Sequence, residues 1–425
     1  MKKMKLQKIV QHLQELHPRE IDLSLDRITK LCKKLGNPQD KIKSISVVGT
    51  NGKYSTIQAM HAILKENNIK CNIYTSPHIK KINERFIFNH QELSDEELFE
   101  LLNHIKKVND NQPITFFEIL TAAYFYKAAK YPDNINLIET GLFHRFDATN
   151  IIKKNLASVV TIIGLDHLDW LPKNEQTIEK IIFEKTSKLL NSNIIVAKQS
   201  SDKISNKIKM TISNNKSKKL FFNEDYNYSF NENEFFYYED KVGAIKLPCP
   251  NVKGQFQLEN ISTAIATLRS IKDIKIKEDS IKSGITHIRS IARLQEITKG
   301  KLKNLVKNNI LLVDGSHNPL GAKVLNEYLE SLNCNKHIIL GMMANKNHQE
   351  YIGYFKNITS LTTVDIPNQQ NSIKGNDLKN SLKIQGDVRY KESITEAIKS
   401  IPIKENDLIL ITGSLYLAGE VLNLN

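Results

Sequence analysis

The segment at residues 45–56 limits what this chain can fold into more than any other. An apolar run at residues 45–48 leads into a turn bounded by Gly49 and Gly52, and Lys53 follows before a helical pattern begins. Backbone N–H groups in such a turn point inward and the helix N-terminus adds positive potential, so the turn can hold phosphate. The two glycines lie three positions apart, whereas the common phosphate loop G-x-x-x-x-G-K-[ST] separates them by five. The pattern alone leaves two readings open, a nucleotide-binding loop and an ordinary glycine turn.

Length and composition narrow the class of protein. The chain has 425 residues, 40% of them hydrophobic, and more than one hydrophobic core is expected at this length. No apolar run approaches the length that spans a bilayer, and the basic N-terminus lacks the apolar core of a secretory signal. The four cysteines lie far apart without metal-type spacing, which favours reduced thiols in a cytoplasmic protein.

The net charge of +14 fits either a nucleic-acid partner or anionic small substrates. Lysine, asparagine and isoleucine are abundant along the whole sequence, which favours a compositional bias instead. We therefore expect no nucleic-acid partner and no membrane partner.

Apolar runs alternate with helical patterns, which predicts an α/β fold with mostly parallel sheets. Buried strands are predicted at residues 45–48, 136–138, 158–163 and 194–197, and helices at 94–108, 117–130 and 254–271. Residues 220–247 are rich in Phe, Tyr and Asn and predict a small antiparallel β appendage. Further strands are predicted at residues 310–313, 337–340, 360–364 and 407–411, with helices at 321–332 and 394–401.

This pattern predicts two domains. Residues 1–290 would form an N-terminal P-loop ATPase-type domain that carries the antiparallel appendage. Residues 293–425 would form a smaller C-terminal α/β domain of Rossmann-like type, and the joint would lie within residues 290–293.

Several polar residues follow predicted strands, at the edge where ligands bind in open α/β sheets. Glu139 could hold Mg²⁺ or cap a helix, and His167 could ligate a metal or bond to backbone in a loop. Ser76 follows a short strand in an unspecific Ser-Pro turn. Lys185 lies on an amphipathic helix, where an exposed lysine is the default reading.

A second group of polar residues lies near the predicted joint and beyond it. Asp314 and Asn318 follow the strand at residues 310–313, where they could cap the next helix or hold nucleotide hydroxyls. Asn260 and Arg293 flank the joint, and an arginine there could bind phosphate through two parallel hydrogen bonds.

These clusters, in this order, resemble the Mur ligase superfamily, and within it the dihydrofolate synthase/folylpolyglutamate synthase family. The resemblance covers nearly the whole chain. It rests on residues 49–53, 75–78, 115–118, 145–150, 163–167, 183–185, 254–257, 292–295, 314–319 and 413–416.

The resemblance implies an ATP-dependent amide ligase. In that family ATP phosphorylates a carboxylate of a pterin-bearing substrate, and the amino group of L-glutamate attacks the acyl phosphate to give an amide, ADP and phosphate. The implied acceptor is dihydropteroate, (poly)glutamylated folates, or both. The implied cofactors are one or two Mg²⁺ ions and a carbamylated Lys185 that supports the second ion. We expect a monomer.

The resemblance also assigns roles to individual residues. ATP would be bound by Thr50, Asn51, Gly52, Lys53, Tyr54, Ser55, Asn260, Arg293 and Asp314. The Mg²⁺ ligands would be Ser76, Glu139 and His167. The pterin would be bound by Asp22, Leu23, Ser24, Arg27, Thr115, Phe116, Phe117 and Arg145. Glutamate would be bound by His317 and Ser414, and the catalytic residues would be Lys53, Lys185 and His317.

Three departures from the family pattern leave a second reading open. Tyr54 stands where glycine is usual and would crowd the phosphates if its φ had to be positive. Phe143 and His144 replace two glycines of a Gly-Leu-Gly-Gly-Arg segment, and residues 345–347 read Asn-Lys-Asn where Asp-Lys-Asp is typical. The second reading is a catalytically weakened or altered-specificity relative that binds nucleotide or pterin.

Overall fold

The computed structural model describes residues 2–18, 22–231, 235–384, 386 and 388–425. The chain divides into two compact units. The first unit comprises Met1–Gly164, Leu171–Asn251 and Leu258–Ile288, and the second comprises Leu165–Trp170, Val252–Gln257 and Arg289–Asn425. That residues 1–290 and 293–425 are two separate domains stays a prediction.

The elements of the described residues are numbered in chain order. The strands are β1 (Lys43–Val48), β2 (Cys71–Tyr74), β3 (Phe86–Phe88), β4 (Gln91–Glu92), β5 (Ile135–Glu139), β6 (Ala157–Val160), β7 (Asn193–Val196), β8 (Lys219–Phe221), β9 (Tyr226–Asn231), β10 (Phe235–Asp240), β11 (Gly243–Pro248), β12 (Gln295–Glu296), β13 (Ile310–Val313), β14 (Lys336–Leu340), β15 (Ser360–Val364), β16 (Val388–Lys391) and β17 (Leu408–Thr412). The helices are α1 (Lys2–Glu15), α2 (Asp26–Lys34), α3 (Lys53–Glu66), α4 (Asp95–Asn109), α5 (Phe116–Ala128), α6 (Ile178–Thr186), α7 (Asp202–Thr211), α8 (Gln255–Ser270), α9 (Glu278–Gly284), α10 (Lys301–Val306), α11 (Pro319–Glu330), α12 (His348–Gly353), α13 (Gly375–Ser381), α14 (Ile394–Ser400) and α15 (Leu415–Leu424).

The first unit is built on an eight-stranded sheet in the order β4-β3-β2-β5-β1-β6-β7-β8. The six strands from β2 to β8 in that order run parallel, and β3 and β4 pair antiparallel at one edge. Val47 pairs with Glu139 on one side and with Val159 on the other. The carboxyl ends of β1, β5 and β6 therefore lie side by side, which brings the loop after β1 next to Glu139.

Helices cover the sheet and bury its apolar strands. The strands β1 and β5 are almost wholly buried, as expected for parallel strands covered on both faces. Helices α1, α2, α4 and α5 contribute a cluster that includes Leu13, Ile28, Leu102 and Phe125. Ser94 and Glu97 form the predicted capping box at the start of α4.

The predicted α/β fold class is confirmed, but two boundaries are wrong. The strand predicted at residues 158–163 ends at Val160, because the carbonyl of Ile162 turns to accept the N–H groups of Thr50 and Asn51. Residues 219–221 form β8, which pairs parallel with β7 and extends the large sheet. The antiparallel appendage is the separate three-stranded sheet β11-β10-β9.

The second unit has a six-stranded sheet in the order β12-β13-β17-β14-β15-β16. Its strands run parallel except β12, which pairs antiparallel with β13. Its core includes Leu325, Ile338, Tyr351 and Leu410. Across the described residues of both units, no helix combines the length and the apolar character that crossing a membrane requires.

Candidate active site

The loop between β1 and α3 is fixed by main-chain hydrogen bonds. The N–H groups of Thr50 and Asn51 donate to the carbonyl of Ile162 over 2.9 and 3.3 Å. The Thr50 hydroxyl donates to the carbonyl of Gly164 at 3.0 Å and accepts its N–H at 3.1 Å. Since the first N–H groups of a helix have no intrahelical acceptor, the start of α3 supplies the donors for an anion.

Both glycines of the loop are required by its packing. Gly52 has φ +84°, and a Cβ there would lie 2.5 Å from Oδ1 of Asn260. A Cβ on Gly49 would lie 1.9 Å from Oγ1 of Thr161. The structure therefore places Asn260, a predicted ATP ligand, directly against the loop.

Two lysines converge on the same loop. Lys53 Nζ donates to the carbonyls of Gly49 and Thr50, each over 3.2 Å. Lys185 Nζ, from α6, donates to the carbonyl of Gly49 at 3.0 Å and to that of Leu142 at 2.8 Å. The default reading of Lys185 as an exposed helix lysine is wrong, because the side chain is only 1% exposed. The two ammonium groups make the electrostatic potential at the loop positive.

Tyr54 does not strain the loop. It is the second residue of α3, half-buried, and it is not among the residues with positive φ. Ser55 follows it, buried in the same first turn. The backbone of this position therefore accepts a tyrosine, and the crowding that a positive φ would impose does not arise.

Phe143 and His144 are buried beside Lys185. The Lys185 Nζ lies 5.5 Å from the centroid of the Phe143 ring, in cation–π contact. Burial, aided by the Lys185 charge, lowers the pKa of His144 to about 4, so its imidazole is neutral at pH 7. Nδ1 of His144 is buried without a hydrogen-bond partner. The two bulky side chains therefore fill interior space next to the loop.

Glu139 and Ser76 are brought together at the carboxyl end of β5. The Ser76 N–H donates to Oε2 of Glu139 at 3.1 Å, and Glu139 is only 5% exposed. A carboxylate and a serine hydroxyl are hard oxygen donors of the kind that Mg²⁺ prefers. These two residues fit a magnesium site at the sheet edge that also carries the phosphate loop.

Gly141 links this edge to the start of α5. A Cβ on Gly141 would lie 2.9 Å from Oδ2 of Asp147 and 3.1 Å from the Phe117 ring. Asp147 accepts the Gly141 N–H at 2.7 Å and the Thr149 hydroxyl at 2.6 Å. Burial raises the pKa of Asp147, although these bonds oppose the shift. Phe117 thus lies against the backbone that follows Glu139.

Three residues predicted to bind the pterin, Asp22, Arg27 and Thr115, belong to one hydrogen-bond network. Arg27 donates to Asp22 Oδ2 at 2.7 Å and to Glu118 Oε2 at 2.9 Å. Glu118 also accepts the N–H of Thr115 at 2.8 Å as part of the cap of α5. Arg27 therefore ties the segment before α2 to the N-terminus of α5.

The remaining predicted pterin residues differ in their surroundings. Arg145 makes two hydrogen bonds of 2.7 Å to the buried carboxylate of Glu184 and lies over Phe146. Phe116 lies 5.9 Å from the Arg85 guanidinium. Leu23 and Ser24 are half-buried, and Ser24 accepts the N–H of Asp26 through its hydroxyl.

In the second unit, Asp314 organises the segment that contains Arg293. The Asp314 carboxylate accepts the N–H groups of Leu294 at 2.8 Å and Ser316 at 2.7 Å. Burial raises the pKa of Asp314, and the charge of Arg293 opposes that shift. Two predicted ATP ligands, Arg293 and Asp314, therefore lie together at the carboxyl end of β13.

His167 and His317 meet at Asp166, in what we call the Asp166 cluster: Asp166, His167, His317 and Lys346. Nε2 of each histidine lies 3.8 Å from Asp166 Oδ2, and Lys346 Nζ donates to Oδ1 at 2.8 Å. Burial acts to raise the pKa of Asp166, but the three basic groups outweigh it and hold the pKa well below its usual range. The pKa of His317 is lowered by burial and by the Lys346 charge.

The Asn-Lys-Asn departure keeps structural contacts in this region. Asn345 donates to Asp169 at 3.0 Å, and Asn347 caps α12 by accepting the N–H of Glu350. Ser414 is buried and caps α15 by accepting the N–H of Tyr416 at 3.1 Å.

Sequence reasoning assigned no role to Asp166, Glu118 or Glu184. A T-x-x-E capping pattern from Thr115 marks Glu118, and this signal was available. Asp166 and Glu184 stand beside assigned residues, yet nothing in the sequence pairs them with basic groups far along the chain.

Comparisons with known proteins show what this chain is similar to. Residues 293–415 match the model of the glutamate ligase domain of Mur ligases. The dihydrofolate synthase/folylpolyglutamate synthase of Bacillus subtilis is 28% identical, over 93% of this chain and 94% of that protein. That of Haemophilus influenzae is 29% identical, over 96% of this chain and 95% of that protein.

The chain is similar over nearly its whole length to the dihydrofolate synthase/folylpolyglutamate synthases. The solved structure of Escherichia coli FolC in complex with DHPP and ADP is 25% identical, with a TM-score of 0.85, covering 98% of this chain and 97% of that one. A bifunctional folylpolyglutamate synthase/dihydrofolate synthase from Yersinia pestis, complexed with AMPPNP and Mn ion, has a TM-score of 0.86 at 22% identity and 98% and 97% coverage. The second structure supports the shared fold.

Proposed function

We propose that this chain is an ATP-dependent amide ligase that adds L-glutamate to dihydropteroate, to (poly)glutamylated folates, or to both. The observation that carries the proposal is the phosphate loop. Its glycines admit no side chain, two lysines converge on it, and the Glu139 carboxylate lies at the same sheet edge.

The comparisons support the same reading. Relatives named dihydrofolate synthase/folylpolyglutamate synthase match over nearly the full length of both chains. The relative from Escherichia coli was solved with ADP and DHPP, and the Yersinia pestis protein with a nucleotide analogue and a manganese ion. We take ATP and a divalent cation as ligands of this chain on that basis.

The first step transfers a phosphoryl group. A carboxylate oxygen of the pterin substrate attacks the γ-phosphorus, the bond to the β-phosphate oxygen breaks, and ADP leaves. The protein positions the phosphates on the N-terminus of α3 and neutralises them with Lys53, and an unmodified Lys185 would add a second positive charge. Mg²⁺ held by Ser76 and Glu139 would neutralise the remaining negative charge, and His167 as a further ligand stays a prediction from the sequence.

The second step forms the amide. The amino group of glutamate attacks the acyl carbon, the bond from that carbon to the phosphate oxygen breaks, and the departing phosphate takes up the proton that the nitrogen loses. Nδ1 of His317 faces the Gly315 carbonyl at 2.9 Å, and since a carbonyl only accepts, Nδ1 carries the hydrogen. Nε2 is then an acceptor, and the lowered pKa keeps it neutral at pH 7. We assign His317 and Ser414 to the incoming glutamate.

The carbamate on Lys185 is a separable part of the proposal. Its nitrogen keeps one hydrogen, so a modified Lys185 would give up one of its bonds to Gly49 and Leu142. Carbon-13 NMR of protein equilibrated with labelled bicarbonate should show a carbamate signal that Lys185→Met removes. Absence of the signal would refute the carbamate and would not affect the proposal that the chain is a ligase.

The decisive experiment measures ADP release. We expect ADP release over many turnovers only when pterin substrate, L-glutamate, ATP and Mg²⁺ are all present, with mass spectrometry detecting the new amide. Each omission serves as a control. Repeated turnover of ATP to ADP at the same rate with and without glutamate would refute the ligase.

Lys53→Ala tests the phosphate loop. We expect the variant to lose nearly all turnover and to keep its fold. Lys53 is half-buried, and its described hydrogen bonds go to the carbonyls of Gly49 and Thr50 in the loop itself. Lys65→Ala is the matched control, since Lys65 is an exposed lysine on the same helix. Equal activity in both variants would contradict the assignment.

The burial of Phe143 and His144 beside Lys185 favours a second candidate, a catalytically weakened relative that binds nucleotide or pterin. Calorimetry separates the two candidates, because binding of ATP and pterin without turnover would favour the second. A cytoplasmic location and a monomeric state stay predictions from the sequence.

A further inference from the structure

Three side chains of types that can ligate a metal converge in the first unit, near the amino ends of β2 and β5. His61 lies on α3, Cys71 is the first residue of β2, and His90 lies in the turn between β3 and β4. Their ligand atoms all lie within 4.8 Å of one another. From these contacts we propose that His61, Cys71 and His90 form a binding site for one zinc ion.

The distances suit a tetrahedral ion. His61 Nε2 lies 3.0 Å from His90 Nδ1, and Cys71 Sγ lies 3.6 Å from the same nitrogen. Zn–N bonds of about 2.0 Å and Zn–S bonds of about 2.3 Å at tetrahedral angles require separations of roughly 3.3 and 3.5 Å. Shifts of a few tenths of an ångström would therefore complete these two pairs of ligands.

The chemistry of the ligands selects the ion. Two imidazole nitrogens and a thiolate suit zinc, whereas magnesium prefers oxygen. The histidines are half-buried, so water can take the fourth position. The Lys65 charge near His90 opposes a cation, and the thiolate that forms on binding offsets it.

The turn that carries His90 supports a role for this side chain. Asn89 and His90 form the two-residue connection between β3 and β4, with φ of +50° and +69°. Two positive φ values are typical of a type I′ turn, whose second position is usually glycine. Here a histidine occupies that position and places its ring against His61 and Cys71.

This zinc site is separate from the proposed active site. Cys71 pairs with Ile135 at the amino end of β5, whereas Glu139 lies at the carboxyl end of that strand. His61 lies eight residues along α3 from Lys53, which is about 12 Å at 1.5 Å per residue. The zinc proposal therefore does not depend on the proposed function.

Cobalt titration of the full chain, stripped with a chelator, tests the site. We expect one Co²⁺ per chain with thiolate-to-cobalt charge-transfer absorption, displaced by zinc and unaffected by excess Mg²⁺. Burial raises the pKa of the Cys71 thiol, so binding releases its proton and should tighten as pH rises.

Two variants and one control make the result decisive. Cys71→Ser should abolish the charge-transfer band, and His90→Gly should weaken binding at least about tenfold. His90→Gly creates the favoured Asn-Gly turn, so it should fold even if Cys71→Ser does not. Cys249→Ser changes an exposed cysteine and should bind as the parent does. Cobalt binding without the band, or equal binding by His90→Gly, would overturn the proposal.

Discussion

The phosphate loop of the first unit and the Asp166 cluster of the second unit are held by different forces. The loop is fixed by main-chain hydrogen bonds and by glycines that leave no room for a Cβ. The cluster is fixed by charge, since the buried Asp166 carboxylate forms an ion pair with the Lys346 ammonium. Changes of volume should therefore damage the loop, and changes of charge should damage the cluster.

Removing the carboxylate charge of Asp166 should have the largest effect on stability. Asp166→Asn leaves Lys346 without its partner, which should cost about 3 kcal/mol in the free energy of unfolding. Denaturant unfolding measures this cost, and exposed Asp169→Asn is the control, with an expected change below about 0.5 kcal/mol.

The pH dependence sharpens this prediction. The pKa of Asp166 is lowered in the folded state, so its contribution is present above the unfolded value of about 3.9 and is lost as pH falls below it. The difference between the parent and Asp166→Asn should shrink below about pH 4. A constant difference down to pH 2 would contradict the charge-based account.

His144 tests whether the loop region is also sensitive to charge. Its folded pKa of about 4 lies below the unfolded value of about 6.5, so the unfolded state takes up the proton first as pH falls. Stability is fully present above pH 6.5, and about 2 kcal/mol should be lost between pH 7 and pH 5. His144→Gln should remove that part of the pH dependence. Identical pH profiles for parent and variant would contradict it.

A methyl group at Gly52 should damage the loop without any change of charge. Gly52→Ala meets Asn260 and a positive φ, so we expect a loss of about 1–2 kcal/mol in stability and at least tenfold weaker ATP binding by calorimetry. Gly353→Ala is the control, because its Cβ would meet nothing within 4 Å.

The smallest effect separates capping from substrate binding. Ser414→Ala and Ser393→Ala each remove a helix N-cap and should each cost about 1 kcal/mol. Only Ser414→Ala should raise the KM for glutamate. Equal KM values in the two variants would leave Ser414 with a capping role alone.

The sequence allowed prediction of the features that depend on neighbours along the chain. The spacing of Gly49, Gly52 and Lys53 predicted a strand, a loop and a helix, and alternating apolar runs predicted most strands of both sheets. The capping box from Ser94 to Glu97 followed from the same local rules.

The features that depend on distant residues could not be predicted. Asp166 and Lys346 are 180 positions apart, and Arg145 and Glu184 are 39 apart. The early end of β6 depends on hydrogen bonds to the loop, which no pattern within residues 158–163 contains. The prediction of an exposed Lys185 was wrong because amphipathic spacing does not reveal that the Lys185 ammonium donates a hydrogen bond to the carbonyl of Gly49.

The double hydrogen bond between Thr50 and Gly164 has a consequence for the energetics of binding. The Thr50 hydroxyl links the segments that follow β1 and β6 by two hydrogen bonds, so the pairing of the two strands continues beyond their ends. The amides of Thr50, Asn51 and Gly164 should then resist hydrogen exchange like those inside a strand. A loop already ordered in this way loses little conformational entropy when a nucleotide arrives, so more of the contact energy remains as affinity.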